Sequence, residues 1–487
     1  MPERSHRESG QRSGTGATTV RVLVVGGGAA GVSAAMQARE LGADAVLLEA
    51  VEVGGTSLNH GPAPVRTLAR AARLARDWNS WADFGLEGSR PVPNLPAILA
   101  NSARVSRYAR DRKHMGARLR HFGIELTENL GPVHFLDSTT LAAEDGRTWT
   151  ADRIILAVGG HAAGLPVPGG ELAMTYSDLP TLTALPGTAA VIGGADTGCQ
   201  IASILADLGS RVSLFEAGPH LLPHADASVS TGMHDAFRNR GIEVFTATQV
   251  QSLERADGGV RLRHGDTGTT FDAVFAAIGW PADIQNLGLP RAGVTAERHA
   301  IPVDAHLRTN VEHIYAVGDA NGRSKLVQTA RLEGRVAAKN AVNGPTAVAT
   351  YTVVPTGSFT DPEYGQVGLT EAQAAGRHRA VTATALYENL LRPVTDGRPE
   401  GFCKLIADAD HHTILGAHVL GEYSAEIVQV VATAMASGMK VEQLADLQFA
   451  FPTFTEAVAM AAQKICRDIG IGSFPAVWSD LETERQA

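Results

Sequence analysis

Two glycine-rich segments, each followed by a glutamate at the same distance, are the residues of this chain best suited to chemistry. The first is Gly26-Gly-Gly28-Ala-Ala-Gly31 with Glu49. The second is Gly193-Gly-Ala195-Asp-Thr-Gly198 with Glu216, and the separation from first glycine to glutamate is identical in the two. Glycines at this spacing let a backbone turn approach a pyrophosphate at a helix N-terminus. An acid about 20 residues on can bind a ribose hydroxyl. A lone motif of this kind is weak; its value depends on the elements around it.

Those elements are present twice. Val20 to Val25 (VRVLVV) is a β-branched apolar run suited to a buried parallel strand, VSAAMQARELG has a helical pattern, and AVLLEA ends at Glu49. Ala190-Val-Ile leads into the second turn, a helix follows, and RVSLFEA carries Glu216. The repeat predicts two dinucleotide-binding modules in one chain. Ala195 replaces the middle glycine of the second and is still small enough for close phosphate approach. The residues after Glu216, AGPHLLP, contain no arginine. A carboxylate there suits a free 2′-hydroxyl and repels a 2′-phosphate, so the second module is expected to take NADH over NADPH.

At 487 residues the chain is long enough for about three domains. Hydrophobic residues make up 44% and charged residues 19%, as in ordinary globular proteins, and the net charge of −9 points to no nucleic-acid partner. No apolar run has the length of a membrane span. The start, MPERSHRESGQRSGTGATT, is polar and is read as a disordered tail, a mitochondrial-type presequence being the alternative. Cys199, Cys403 and Cys466 share no close spacing, which suggests neither zinc nor a disulfide framework and fits a cytoplasmic protein.

Between the modules lies Gly54 to Arg66, GGTSLNHGPAPVR, and further on stand three other marked segments. Arg153 to Gly160 reads RIILAVGG, Thr309 to Asp319 reads TNVEHIYAVGD, and Phe449 to Glu456 reads FAFPTFTE. Together they resemble the flavoprotein disulfide reductases, the group of dihydrolipoamide dehydrogenase and mercuric reductase, from roughly Val20 to Ile469. Pro355, Phe359, Thr360, Pro362, Glu363, Val367, Gly368, Thr370 and Glu371 are similar to that family's interface domain. The resemblance implies an α/β fold of two Rossmann-like domains, one inserted in the other, plus a C-terminal α+β dimerisation domain. It implies FAD held by residues 20–165 and 280–348, NAD by 166–279 and a dimer interface in 349–480, after a tail over 1–19. The FAD residues it implies are Gly26, Gly28, Gly31, Glu49, Gly55, Thr56, Arg66, Val133, Gly159, Gly318, Asp319 and Val327. Asp319 would bond the ribityl chain. For NAD they are Gly193, Gly198, Glu216 and Gly279, the last followed by Trp280 where the family often has arginine.

The family's chemistry is missing from two places. Its segment reads roughly GGTCxNxGCxPSK, so the two sulfurs fall on Ser57 and Pro62 and the lysine on Arg66. Its HxHPTxxE falls on Phe449, Phe451 and Glu456, and phenylalanine transfers no proton. The chain ends SDLETERQA, without the C-terminal cysteines of mercuric reductases. We therefore expect a homodimeric FAD enzyme, neither a disulfide nor a mercuric reductase. It would pass electrons from NADH to a small non-thiol acceptor, quinone-like or a specialised metabolite. Phe449, Phe451 and Phe454 are read as an apolar wall that the partner subunit contributes for that acceptor. His60 is a candidate proton donor, and Gln200, where relatives often have a glutamate, a candidate positioning group. A soluble transhydrogenase and a flavin- or nucleotide-binding protein without turnover remain as alternatives.

Overall fold

The computed structural model describes residues 19–472 and residue 474. The polar tail (all but its last residue), the end of the 349–480 span and the sulfur-free C-terminus lie outside the described residues. The chain forms two compact units. One runs to Val53 and then takes His114–Gly159 and Asp283–Ala349; the other takes Gly54–Lys113, Gly160–Ala282 and continues from Thr350.

The first unit is built on a five-stranded parallel sheet. Its order is Ile314–Ala316, Arg153–Leu156, Arg21–Val25, Asp44–Leu48, Glu125–Thr127. Val22, Leu23 and Val24 are fully buried at its centre, as expected for a strand covered on both faces. The helix Ala29–Glu40 follows the first strand and buries Ala30, Gly31, Ala34, Ala35 and Ala38. It packs on the helix Val327–Asn343 through small residues: a Cβ at Gly334 would lie 2.2 Å from the Ala30 carbonyl oxygen. A small antiparallel sheet, Val133–Phe135, Thr140–Ala143 and Thr148–Thr150, completes the unit's strands among the described residues.

In the second unit a parallel sheet of the same plan runs Glu243–Phe245, Arg211–Phe215, Thr188–Ile192, Ala273–Ala276, Met174–Thr175. A three-stranded meander (Val250–Ala256, Gly259–His264, Thr267–Phe271) packs on it through Val250, Leu253, Leu262 and Phe271. The C-terminal part is an antiparallel sheet covered by the helices Ser424–Ala436 and Glu456–Asp468. The helix Pro62–Arg76 packs on Asp196–Leu208 and on Leu95–Lys113.

Ion pairs fix the helix Pro62–Arg76 to the C-terminal part. Arg73 reaches Glu422 (2.7 Å), Glu363 (3.4 Å) and Asp361 (3.7 Å), and Arg76 also pairs with Asp361. Arg240 joins Asp207 to the same group, and Arg398 pairs with Asp77 just past the helix end. Removing one partner of such a shielded pair strands the other, which makes the network costly to break.

The small-residue contact generates a direct test. Gly334→Ala places a methyl against the Ala30 backbone, so the two helices must part. The expected loss is about 1–3 kcal/mol of stability, read from denaturant unfolding of the variant against the parent.

Candidate functional site

Each glycine turn is shaped by the absence of side chains. Gly26 has φ +103°, and a Cβ there would lie 2.3 Å from the Ala157 oxygen; Gly193 has φ +107°, with the equivalent overlap at 2.4 Å from the Ala277 oxygen. At Gly31 the overlap is with the Gly26 oxygen at 1.8 Å, and at Gly198 with the Gly193 oxygen at 1.7 Å. Only glycine lets each helix start this close to its strand. Gly28 and Ala195 sit at the two helix starts in extended conformations, φ −76° and −83°. Alanine adopts that backbone without strain, so Ala195 costs the second turn nothing in conformation.

The acids repeat the match. The Gly27 N–H donates to Glu49 Oε2 (2.6 Å) and the Val51 N–H to Oε1 (2.9 Å). Glu216 accepts from the Gly194 N–H and the Gly218 N–H, both at 2.6 Å. Each carboxylate thus braces its own turn. The first turn of the Ala29–Glu40 helix carries no acid of its own, which suits a pyrophosphate at its N–H groups. The Asp196–Leu208 helix adds Asp196 at its start, hydrogen-bonded by the Tyr364 hydroxyl.

The remaining flavin candidates of the first unit lie on one framework. Val133 begins a buried strand, Gly159 follows Arg153–Leu156 with φ +76°, and Gly318 and Asp319 open a short turn before the helix that Val327 begins. Glu333, fully buried, accepts from the Gly318 N–H (2.6 Å) and from Asn321 Nδ2 (2.8 Å). It braces the turn Gly318–Asn321, on which Asp319 lies, and the sequence reading missed it. Its signal was an acid among Ala330, Gly334, Ala337 and Ala338 on a small-residue face.

Gly55, Thr56, His60, Arg66, Gln200 and Gly279 lie in the second unit. Gly55–Asn59 is a short helix, and the Thr56 carbonyl accepts from the His60 and Gly61 N–H groups. Ser57 Oγ donates to the Gly54 oxygen (3.3 Å). Pro62 is the first residue of the next helix, where a missing N–H costs nothing, and its ring is exposed. Arg110 Nη1 donates to Asn59 Oδ1 (3.0 Å), bracing the segment from outside. His60 is exposed at the helix end. The Arg66 guanidinium lies over the Phe359 ring, 3.4 Å from its centroid, and Gln200 Nε2 donates to Ser358 Oγ (3.1 Å). The structure therefore brings Arg66 and Gln200 to adjacent residues of one strand end. Trp280, after Gly279, packs against Tyr176 with centroids 5.7 Å apart.

The three phenylalanines do not form one wall. Phe454 is 4% exposed and packs edge-on against Tyr387 and Tyr423 in the core of the C-terminal part, whereas Phe451 is 70% exposed. Phe449 is half-buried against the same core. A single wall of all three is not available, because the core of the C-terminal part takes Phe454 while Phe451 stands outside it. Glu456 keeps a buried Oε2 with no hydrogen-bond partner among the described residues, and burial pushes its carboxyl up. All three cysteines are free and buried, and burial pushes their thiols up, Cys403 to about 12 and Cys466 to about 11.

Residues 20–334 match the pyridine nucleotide-disulphide oxidoreductase family, and residues 354–462 match its dimerisation domain. The dihydrolipoyl dehydrogenase of Zymomonas mobilis is 32% identical over 452 residues, covering 90% of this chain and 96% of that protein. The mercuric reductase of Streptomyces lividans is 30% identical, covering 92% and 96%. The crystal structure of LpdA from Mycobacterium tuberculosis superposes with a TM-score of 0.84 at 25% identity, covering 92% and 99%. Among the described residues no helix is long and apolar enough to cross a membrane.

Two variants test the site. Glu333→Ala leaves the Gly318 N–H and the Asn321 amide without their acceptor, a cost of about 1–3 kcal/mol per buried group. The purified variant is expected to carry less flavin per chain, read from its visible-to-ultraviolet absorbance ratio. Glu363 is pushed up to about 7, chiefly by burial and despite Arg73. A carboxyl raised on folding loses stability as pH rises from its unfolded pKa of about 4.5 to its folded one. Glu363→Gln removes that loss, so the variant's stability relative to the parent, whatever its value at pH 4.5, should rise by about 3 kcal/mol between pH 4.5 and 8. A relative stability that stays constant or falls over this range contradicts the assignment.

Proposed function

The chain belongs to the pyridine nucleotide-disulphide oxidoreductases, a family that uses FAD and NAD(P)H, and we propose that it carries electrons from NADH to a small non-thiol acceptor. The observation that carries this reading is the segment Gly54–Arg66. Pro62 begins a helix there and Ser57 is bonded within its own turn, so the segment holds no sulfur. The cysteines elsewhere are buried with raised thiols and supply no thiolate. Phe449 and Phe451 leave no imidazole to serve one, and the unpaired Glu456 oxygen is consistent with that loss.

FAD, when bound, supplies a two-electron relay between a nicotinamide and an acceptor. Balanced over a turnover, NADH gives two electrons and one proton, solvent gives a second proton, and a quinone-like acceptor leaves as the quinol. The chain's own residues hold the participants. Gly26, Gly28, Gly31, Glu49 and Asp319 are proposed for FAD, with Val133, Gly159, Gly318 and Val327 around them. Gly55, Thr56 and Arg66 are proposed to act from the altered segment. Gly193, Gly198, Glu216 and Gly279 are proposed for the nicotinamide dinucleotide, within the domain division 20–165 with 280–348, 166–279 and 349–480. Gln200 and Arg66 are positioning groups, since a neutral amide and a guanidinium move no proton at ordinary pH. The exposed His60 is proposed as a proton donor to the reduced acceptor. The matched dimerisation domain supports self-association.

Glu216 supports NADH over NADPH, because a 2′-phosphate would meet its carboxylate. The test is steady-state turnover with either nucleotide against quinones, lipoamide and glutathione disulfide. Quinone turnover is expected with NADH, at least about tenfold better in kcat/KM than with NADPH, and no disulfide turnover. Near-equal rates with the two nucleotides would favour the transhydrogenase reading. Reduction of a disulfide would sink the proposal.

A further inference from the structure

The helix Asp196–Leu208 of the second nucleotide module meets the C-terminal part along one polar face. Asp196 accepts from the Tyr364 hydroxyl, Gln200 Nε2 donates to Ser358 Oγ (3.1 Å), and Ser203 Oγ accepts from the Asp361 N–H (2.9 Å). Asp207 pairs with Arg240, which lies 4.0 Å from Asp361. Residues 196, 200, 203 and 207 recur at the spacing of a single helix face. The first of them differs from the others in its place. Asp196 is the first helical residue, beside the free N–H groups to which a pyrophosphate is drawn.

The first module has nothing comparable. Its helix Ala29–Glu40 starts with alanine and has no acid in its first turn, and no side chain caps either helix start. The two glycine turns and their glutamates otherwise match, so the acid is what separates two similar anion sites. A carboxylate at a helix start is favoured by the N–H groups there, and Asp196 supplies one from the chain itself. It lowers what those groups can offer a pyrophosphate and repels the phosphate charge. The basic side chain whose field reaches Asp196 is His224. The carboxylate is held by Tyr364, which is 5% exposed, stands on the strand Tyr364–Gly368 and shares a core with Cys199, Ile201 and Leu205 of the helix. A hydroxyl donor draws off part of the carboxylate's charge and fixes its place, so it does not turn back onto the helix N–H groups.

We propose that Asp196, pinned by Tyr364, sets the affinity of the second module by weakening its hold on the pyrophosphate of the nicotinamide dinucleotide. The nucleotide of this module then exchanges, as a substrate must, while the first module, without the acid, keeps its own. Tyr364 limits the weakening, and it does so from the C-terminal part, so the nucleotide site is completed by a residue outside its module. The inference deepens the NAD assignment of the second module and rests on it. Nothing in it depends on the acceptor.

The test is calorimetric titration of the full-length FAD-loaded protein with two probes. ADP-ribose carries the pyrophosphate without a reactive ring, and adenosine carries no phosphate. Asp196→Asn is expected to bind ADP-ribose about five- to tenfold more tightly than the parent, and adenosine no differently. Tyr364→Phe, which keeps the ring in the core, should weaken ADP-ribose binding about threefold, and that effect should vanish when Asp196→Asn is also present. In turnover, Asp196→Asn should lower the KM for NADH without raising kcat, because the pyrophosphate is held alike before and during the chemistry. An acid that served only the helix start would give the other sign, since its loss would leave binding unchanged or weaken it along with the fold. Unchanged or weaker ADP-ribose binding in Asp196→Asn therefore overturns the inference. So does a gain that adenosine shares, or a Tyr364→Phe effect of equal size with and without Asp196. If ADP-ribose binds neither the parent nor Asp196→Asn, the nucleotide assignment of the module fails and the inference falls with it.

Discussion

The closest constraint in this molecule is steric: the start of each nucleotide-module helix lies so near its strand that a single Cβ would collide with backbone. At Gly31 and Gly198 the collision would be at 1.8 and 1.7 Å, and both partners are carbonyl oxygens that cannot step aside. This approach brings the helix N–H groups to the C-terminal ends of the central strands, where Glu49 and Glu216 fasten the turns by accepting matching pairs of backbone N–H bonds. In the first unit the same economy of side chains recurs at Gly334 against Ala30, which lets a second helix lie along the first and deliver Glu333 beneath the Gly318–Asn321 turn. Binding capacity follows from where side chains are missing as much as from where they are present.

The second unit is held differently. Its altered segment opens the helix Pro62–Arg76, and that helix is clamped at its far end by Arg73 and Arg76 against Asp361, Glu363 and Glu422. The segment is braced again by Arg110 on Asn59. These contacts do not need a disulfide. The helix start tolerates proline because the first helical N–H has no intrahelical partner. The start of this helix is thus held without sulfur, while Arg66 rests on Phe359 and Gln200 on Ser358.

What was legible in the sequence was what is local. The two strand–turn–helix–strand–acid units could be read because each is a short run whose spacing has one physical reading. That Ser57 and Pro62 stand where the resemblance expects sulfur is legible for the same reason. The ion-pair network was not, because Arg73 finds Glu363 and Glu422 only after the chain has passed through the whole nucleotide module. Glu333 was passed over because an acid in a helix normally marks a solvated face, and only the turn it supports explains its complete burial. The phenylalanine cluster misled because three aromatic residues in six positions do not say which ring the core will take. Phe454 went inward to Tyr387 and Tyr423, and Phe451 went out.

The central claim is that reducing equivalents pass through this protein without a thiol. An anaerobic titration of the FAD-loaded protein with NADH, following the full visible spectrum, tests it most directly. The account predicts bleaching of the flavin band after about one equivalent of NADH per FAD, with no long-wavelength thiolate charge-transfer band and no second reducing equivalent consumed. Uptake of about two equivalents with a charge-transfer band would place a working dithiol beside the flavin and contradict the account.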